Sequence, residues 1–269
     1  MQAHGVSRRR ACRCVGLSRS VWDYTPHPRD DSPVIEALTT LADRHLSFGF
    51  RKLYVLLRRA GNAWNHKRVW RVYCAMKLNK RRKFRRRRQV EQPQPLVQPI
   101  RPNQAWSADF MSDALYTGIK YRTFNVLDDY NREGLRIEID VSLTSERVIR
   151  VLEQVIAVRG RPERIRLDNG PKFTSAAFTA WAKAGGIAIE FIKPGKPNQN
   201  GYIERFNGIY REAVLDAWMF TSLDQVREAT EQWLIEYNLE RPHESLGDAT
   251  PIEFLTQRGH AEVSIYARP

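Results

Sequence analysis

Between residues 106 and 237 the hydrophobic pattern switches repeatedly between the two-residue period of a strand and the 3.6-residue period of a helix. Segments rich in β-formers and bounded by turn residues predict strands at 106–111, 121–127, 135–141, 164–167 and 187–192. Helical spacing predicts helices at 145–158, 174–184, 201–218 and 222–237. Because three strands come first and helices separate the later ones, we expect an α/β domain, a mixed five-stranded sheet flanked by helices.

The residues before this region predict a small all-α domain. Two short helices, capped by Ser7 and Ser18 and separated by Gly16, have helix-turn-helix spacing over residues 5–24. Further helical patterns cover 34–45, 50–59 and 66–77. We therefore divide the chain into a helix-turn-helix-like DNA-binding region at 1–79, a basic, Pro-rich linker at 80–104, the α/β core at 105–220, and a C-terminal helix and Pro-containing tail at 221–269.

The positive charge of the chain is concentrated in its first part. The net charge is +14, but residues 1–105 hold 24 Lys and Arg against 6 Asp and Glu, whereas the remainder holds 20 against 24. Such a basic module is typical of proteins that bind a polyanion. We expect phosphate contacts from the first helices and from the basic run at 80–88, that is, from Arg8, Arg9, Arg10, Arg19, Lys80, Arg81, Arg82, Lys83, Arg85, Arg86, Arg87 and Arg88.

Other features exclude several classes. Cys12, Cys14 and Cys74 form no C-x-x-C pair, which argues against a disulfide framework or a zinc knuckle. No run of residues approaches the roughly 18 apolar positions of a membrane span. We expect a cytoplasmic protein without a membrane partner.

Three acids occupy informative positions in the predicted α/β core. Asp109 interrupts an apolar strand, Asp168 directly follows the strand 164–167 and opens the turn Asp-Asn-Gly-Pro, and Glu204 lies in the first turns of a helix. Carboxylates are the ligands that Mg²⁺ prefers, and two such ions can activate a nucleophile and stabilise a leaving oxygen at a phosphodiester. Asp109, Asp168 and Glu204 are therefore the candidate catalytic and metal-binding residues.

These motifs resemble a known family. Asp109, Asp168 and Glu204, with 35 residues between the last two, are spaced as in the DDE core of retroviral-type integrases. The segments Arg-Leu-Asp-Asn-Gly-Pro-Lys-Phe at 166–173 and Asn-Gly-Tyr-Ile-Glu-Arg-Phe-Asn-Gly at 200–208 resemble the second reading-frame (OrfB-type) product of IS3-family insertion-sequence transposases. The C-terminal segments 237–243 and 250–254 resemble that family too, so the resemblance covers nearly the whole chain.

The resemblance implies an RNase H-like fold that cleaves transposon-end DNA and joins its 3′ hydroxyl to target DNA. It implies two Mg²⁺ or Mn²⁺ ions held by the three acids, with Asn169 and Gly170 shaping the turn after Asp168. Lys193, Lys196 and Asn200 would lie where a DNA backbone approaches. Lys172 departs from the family, which usually has Glu there, so we expect an altered local charge with the metal site retained.

The same resemblance implies partners. Double-stranded DNA, as transposon ends and as target, is the expected substrate, with the chain acting as a homo-oligomer on DNA and associated with the bacterial nucleoid. Residues 1–105 show no heptad pattern like the leucine zipper of the upstream frame. We therefore expect the first-frame product, fused or separate, to be a partner.

Two alternatives remain open from the sequence. A DNA-binding regulator with an inactive integrase-like core would account for the basic region but not for three acids at strand and helix ends. A glycan hydrolase with a carboxylate pair would account for acids but not for the basic region. Structural roles are the expectation for other notable residues: Asp128 and Asp129 as edge or ion-paired acids, His243 in a turn, and Trp181, Trp218 and Trp233 in the core.

Overall fold

A computed structural model describes residues 5–25, 29–79, 98–192 and 200–264 of the chain. The described residues before position 80 form the helices α1 (Arg8–Cys14), α2 (Arg19–Trp22), α3 (Ser32–Arg44), α4 (Phe50–Arg59) and α5 (His66–Ala75). The predicted caps precede α1 and α2: Ser18 accepts a hydrogen bond from the Val21 amide, whereas Ser7 makes no side-chain cap bond. α5 ends two residues before the predicted Lys77, because Lys77 adopts a left-handed backbone with φ of 57°.

Helices α3, α4 and α5 share a small hydrophobic core of their own. Val34 and Leu38 of α3 pack with Leu53 and Leu57 of α4 and with Val69 of α5, and all five are almost fully buried. The four-residue spacing of Val34 and Leu38, and of Leu53 and Leu57, puts each pair on one helix face. Helices α3, α4 and α5 therefore form a packed unit.

The five strands are β1 (Ala105–Ala114), β2 (Lys120–Asp128), β3 (Gly134–Asp140), β4 (Arg164–Leu167) and β5 (Ala188–Phe191). They form one sheet in the order β3-β2-β1-β4-β5. β1, β2 and β3 pair antiparallel, whereas β1 pairs with β4, and β4 with β5, in parallel. The predicted mixed five-stranded sheet is confirmed. β1 extends past the predicted residue 111 because Ser112, Asp113 and Ala114 continue the ladder with β2.

Helices cover both faces of this sheet. On one face, α6 (Ser145–Arg159) and α7 (Ala176–Ala184) bury a core that includes Trp106, Phe124 and Phe178. On the other, α8 (Gly201–Tyr210) and α9 (Leu223–Leu239) bury Phe206, Tyr210 and Trp233. Strands β1 and β2 thus lie between two apolar layers.

The helix that starts at Gly201 is shorter than predicted. α8 ends at Tyr210, and Arg211–Leu215 continues it as a π-helical turn, after which the chain leaves the helix. Trp218 lies beyond this turn and is 60% exposed, so the expectation that it belongs to the core is wrong. Trp233 is buried and Trp181 packs against the core at partial burial, as expected.

The predicted C-terminal tail contains a further helix, α10 (Pro251–Gln257). Thr250 accepts a hydrogen bond from the Glu253 amide and the Glu253 carboxylate accepts one from the Thr250 amide, which makes a capping box. Pro251 occupies the first helical position, where its missing amide is not needed. Both signals are present in the sequence Thr-Pro-Ile-Glu at 250–253.

Ion pairs connect the helical unit to the end of the chain. Arg44 contacts Glu240 at 2.6 Å, Arg51 contacts Glu244 at 2.7 Å, and Arg59 contacts Glu253 at 2.7 Å. The buried His45 also lies 2.5 Å from Glu236 of α9. Part of the basic surplus of the first part is therefore neutralised by acids at the C-terminal end.

Candidate active site

Two of the three candidate acids are neighbours on adjacent parallel strands. Ser107 of β1 lies beside Arg166 of β4 in the sheet register. Two residues further along each strand are Asp109, still within β1, and Asp168, the first residue after β4. Because parallel strands advance in step, this register brings both carboxylates to one end of the sheet.

Helix α8 brings the third acid to the same place. The Asn207 side chain donates a 2.9 Å hydrogen bond to Oδ2 of Asp109, and its own carbonyl oxygen accepts one of 2.7 Å from Asn125. Asn125 pairs directly with Asp109 across β1 and β2, so Asn207 fixes α8 against the sheet at this point. Glu204 lies three residues before Asn207, on the same side of the helix, and is exposed.

Asn207 is the functional residue that the sequence interpretation missed. It lies within the motif at 200–208, but its contact with Asp109 joins positions 98 residues apart. The available signal was its spacing of three residues from Glu204 on a predicted helix, which places both side chains on one face.

The turn after β4 holds the second acid in position. The Gly170 amide donates a 3.1 Å hydrogen bond to Oδ1 of Asp168, and the Asn169 side chain donates one of 2.9 Å to the Ile192 carbonyl. A Cβ atom added at Gly170 would lie only 2.9 Å from Oδ1 of Asp168. A side chain at this position would therefore displace the Asp168 carboxylate, and the site-shaping role of both residues stays a prediction.

The electrostatics of the site show that the other two acids act on Asp109. Burial, together with the charges of Asp168 and Glu204, raises the pKa of Asp109 to about 6, against hydrogen bonds from the Phe110 amide and Asn207. Within the described ranges, none of the three carboxylates forms an ion pair with a Lys, Arg or His side chain. An uncompensated group of hard oxygen donors suits a divalent cation.

The three carboxylates are close to one another, but they are not arranged as ligands of a single metal ion. In the part of the chain that the structure describes, no three His, Cys, Asp or Glu side chains are spaced as ligands of one ion. Both oxygens of Asp109 accept protein hydrogen bonds, from the Phe110 amide and from Asn207, and Asp168 accepts one from Gly170. Shared ligation by all three acids therefore requires side-chain rotations.

Comparison with known proteins identifies the family. Models of the integrase core domain match residues 99–197 and 185–251, and a model of an HTH-like domain matches residues 28–88. An uncharacterised 39.2 kDa protein of insertion element IS476 from Xanthomonas euvesicatoria is 41% identical over 93% of this chain and 72% of its own length. A 31.7 kDa protein of insertion element IS407 from Burkholderia multivorans is 40% identical over 93% of this chain and 90% of its own. The chain belongs to the IS3 family of insertion-sequence transposases.

A solved structure supports the fold of this transposase-family chain. The intasome of simian T-cell lymphotropic virus, in complex with the PP2A regulatory subunit B56 gamma, contains a chain that matches with a TM-score of 0.52 and 19% identity. The match covers 81% of this chain and 73% of the viral one. The RNase H-like fold, predicted from the resemblance, is confirmed.

The HTH-like match lies on other helices than the sequence spacing suggested. It spans α3, α4 and α5, at residues 28–88, whereas the predicted helix-turn-helix pattern is at 5–24. Arg8, Arg9 and Arg10 on α1 and Arg19 on α2 are all exposed, with Arg8 3.5 Å from Asp23. Their contact with DNA stays a prediction for this transposase-family chain.

The other predicted DNA contacts divide into two groups. Lys193 and Lys196, and the whole basic run from Lys80 to Arg88, lie outside the described residues. Asn200 is described, but it immediately precedes α8 and is only 4% exposed, so its side chain is turned into the protein. In this IS3-family chain Asn200 is the N-cap residue of α8, the helix that carries Glu204.

The side chain of Lys172, where the family usually has Glu, contacts the segment before α6. Its ammonium group donates to the Leu143 carbonyl and lies 5.3 Å from the centre of the Phe110 ring. Burial lowers the pKa of Lys172, with the charge of Arg122 acting in the same direction. The side chain anchors the turn after β4 to the segment before α6.

Proposed function

We propose that this protein is a DNA strand transferase that cleaves transposon-end DNA and joins the freed 3′ hydroxyl to target DNA. One observation carries the proposal: in an integrase core, strand register and the Asn207 hydrogen bond bring Asp109, Asp168 and Glu204 together at one end of the sheet. Family membership supports DNA transposition in general, and the acids supply the reaction centre.

The three acids would hold two Mg²⁺ or Mn²⁺ ions, which would activate the attacking oxygen and stabilise the leaving one. Asn207 keeps Asp109 oriented, and the Gly170 amide keeps the carboxylate of Asp168 turned to the same end of the sheet. In joining, the free 3′ oxygen bonds to a target phosphorus while the bond from that phosphorus to its own 3′ oxygen breaks. One phosphodiester replaces another, so no covalent intermediate with the protein is needed.

The partners follow from the same proposal. We expect double-stranded DNA as both donor and target, and several copies of the chain on it, as the intasome assembly of the viral relative suggests. We also propose that the first-frame product, fused or separate, contributes to recognition of the ends. No described helix has the length and apolar character to span a membrane.

The test is a joining assay with the full chain. A labelled duplex carrying the terminal sequences that flank the gene is incubated with a plasmid target and Mg²⁺ or Mn²⁺, with and without the upstream-frame product. We expect labelled plasmid with wild type and none with Asp168→Asn or Glu204→Gln, because each removes a charged ligand.

Glu153→Gln is the matched control, since Glu153 is an exposed acid on α6 away from the site. It should join DNA as wild type does. Full joining by the Asp168→Asn and Glu204→Gln variants would refute the proposal, and wild-type binding to DNA without joining under any of these conditions would favour the regulator with an inactive core.

A further inference from the structure

A cavity of about 610 Å³ lies behind helix α8, between α4 and the segment that follows α9. Its wall combines cationic side chains from four parts of the chain: Lys52 of α4, Arg132 of the β2–β3 turn, Arg205 of α8, and Arg241 after α9. Among the described residues that line it, Glu244 is the one acid. The cavity is therefore a basic pocket formed jointly by the helical unit and the core.

Two of these arginines are buried with donor atoms that have no partner. Arg132 is 7% exposed and Arg241 is 5% exposed. Nη1 of Arg132 and Nε of Arg241 make no hydrogen bond. Burial of a charged donor without a partner is costly, so an anion in the adjoining cavity would offset part of this cost electrostatically.

Aromatic rings hold both guanidinium groups in place. Arg132 stacks over the Tyr202 ring at 3.5 Å and Arg241 lies 4.9 Å from the centre of the Phe48 ring. These contacts fix the two side chains before any ligand arrives. Each planar guanidinium group can donate two hydrogen bonds to the oxygens of one phosphate.

The local charge balance is positive. Glu244 pairs with Arg51 at 2.7 Å, and Glu236, which lies near Arg241, contacts His45 at 2.5 Å. Glu212 also acts on Lys52 and Arg241. Burial and the charges of Arg241 and Arg205 nevertheless lower the pKa of Lys52 to about 8, so cations dominate there.

We propose that this cavity binds a phosphate group, and that in the working protein the phosphate belongs to a DNA backbone that passes α8. The choice of DNA rests on the proposed function, whereas the anion site rests on the cavity alone. Gly201, the first residue of α8, also lines the cavity, so the positive end of the helix dipole faces the same space.

The site is separate from the three acids. Tyr202, Arg205 and Ile209 line the cavity and share one face of α8. At about 100° per residue, that face is turned by roughly 100–160° from Glu204. A DNA strand bound in the cavity would contact the side of α8 that lies opposite Glu204.

The first experiment tests the anion site with inorganic phosphate and the full chain. Thermal unfolding is followed in phosphate and in chloride of equal ionic strength, for wild type and for Lys52→Gln with Arg205→Gln. We expect phosphate to raise the Tm of wild type by about 2–4 °C and to leave the double variant unchanged. The control is Arg150→Gln with Lys183→Gln, which removes the same charge from exposed positions on α6 and α7 and should respond as wild type.

The second experiment measures binding of a 30-base-pair duplex in EDTA, across a salt series. We expect Lys52→Gln with Arg205→Gln to weaken binding about tenfold and to reduce the slope of log K against log salt by about 1.8, with the control pair unchanged. A phosphate response in wild type with unaltered DNA binding in the double variant would mean a site for free anions only and would overturn the DNA assignment. No phosphate response would overturn the site itself, and neither result bears on joining by the three acids.

Discussion

At the scale of single residues, the candidate site contains some residues that the sequence identifies and others that only the structure identifies. The positions of Asp109 and Asp168 could be read from the sequence, because Asp109 interrupts an apolar strand and Asp168 directly follows a strand and opens a turn. Asn207 was not predictable, since its importance comes from a 2.9 Å contact with Asp109 that exists only once α8 is packed on the sheet. Gly170 lies between these cases: its turn was predictable, but its closeness to the Asp168 carboxylate was not.

Gly170→Ala tests whether the turn orients Asp168. The added methyl would lie 2.9 Å from Oδ1 of Asp168 and would force that carboxylate to rotate. We expect DNA joining to fall about tenfold or more, as when a partner that orients a metal ligand is lost, with little change in stability. Gly208→Ala is the control, because a Cβ atom there meets nothing within 4 Å. Equal joining rates for the two variants would contradict this role.

His243 makes a prediction about acid stability. Burial and the charges of Arg241, Lys52 and Arg132 lower the pKa of His243 to about 3, from an ordinary value of 6.5. Below about pH 6.5 the His243 imidazole therefore binds a proton in the unfolded chain but not in the folded chain. The free energy of unfolding consequently falls as pH drops from 6.5 to 3. In the His243→Asn variant, unfolding should take up about one proton fewer, so the free energy of unfolding should fall less steeply over this pH range.

Urea unfolding in chloride buffers between pH 4 and 6 measures this difference in slope, which is about 1.4 kcal/mol per pH unit for one proton. His66→Asn, on α5, provides the histidine control. Parallel stability curves for wild type and His243→Asn would show that the imidazole is protonated in the folded protein.

At the scale of elements, periodicity was a reliable guide where the element is regular. The five strands, the antiparallel hairpin, helices α3 to α7 and helix α9 all occur within a few residues of their predicted positions, whereas α8 ends eight residues before its predicted end. The π-helical turn at Arg211–Leu215 was missed because its altered backbone bonding has no hydrophobic signature. Helix α10 was not predicted, although the capping box at Thr250 and the proline at the first helical position are both signals of a helix start.

A buried charge cluster joins helix α6 to the hairpin turn and to the chain end. Arg159 donates a hydrogen bond of 2.7 Å to the Glu133 carboxylate and one of 2.6 Å to the Val263 carbonyl. The Arg159 guanidinium also lies 3.9 Å from the Asp128 carboxylate. All three charged side chains are less than 10% exposed. Asp128 was expected at an edge or in an ion pair; it is buried beside Arg159, and Asp129 pairs with Arg166 at 2.9 Å.

Arg159→Ala should be strongly destabilising. It would leave Glu133 and Asp128 buried without their cation, which typically costs about 3–5 kcal/mol of the free energy of unfolding. Arg150→Ala, an exposed arginine on the same helix, should change it by about 0.5 kcal/mol or less. Urea unfolding at pH 7 measures both. A loss at Arg159 no larger than at Arg150 would show that the cluster contributes nothing to stability.

At the scale of the whole molecule, the charge of the first part serves more than one purpose. The sequence correctly placed the basic surplus before residue 105, but could not show which cations face solvent. Arg44, Arg51 and Arg59 pair with C-terminal acids, and Arg68 and Arg71 both pair with Asp31. Some of these ion pairs join residues far apart in the sequence, 196 positions for Arg44 and Glu240. Local sequence patterns therefore could not predict them.

The salt dependence of DNA binding separates the two groups of cations. Replacing Arg85, Arg86, Arg87 and Arg88 by Gln should reduce the slope of log K against log salt by up to about 3.6, if each contacts one phosphate. Replacing Arg44 and Arg59 by Gln should leave the slope unchanged, because these cations already have carboxylate partners. An unaltered slope in the first variant would make the basic run a solvated linker.

The central claim is that Asp109, Asp168 and Glu204 form one site for divalent cations, and Mn²⁺ binding tests it most directly. Calorimetric titration would compare wild type with Asp109→Asn, Asp168→Asn, Glu204→Gln and the control Glu153→Gln, each shown to be folded by circular dichroism. We predict that each of the first three weakens Mn²⁺ binding at least tenfold, about 1.4 kcal/mol, while the control binds as wild type. Undiminished Mn²⁺ affinity in folded Asp109→Asn or Asp168→Asn protein would contradict the account.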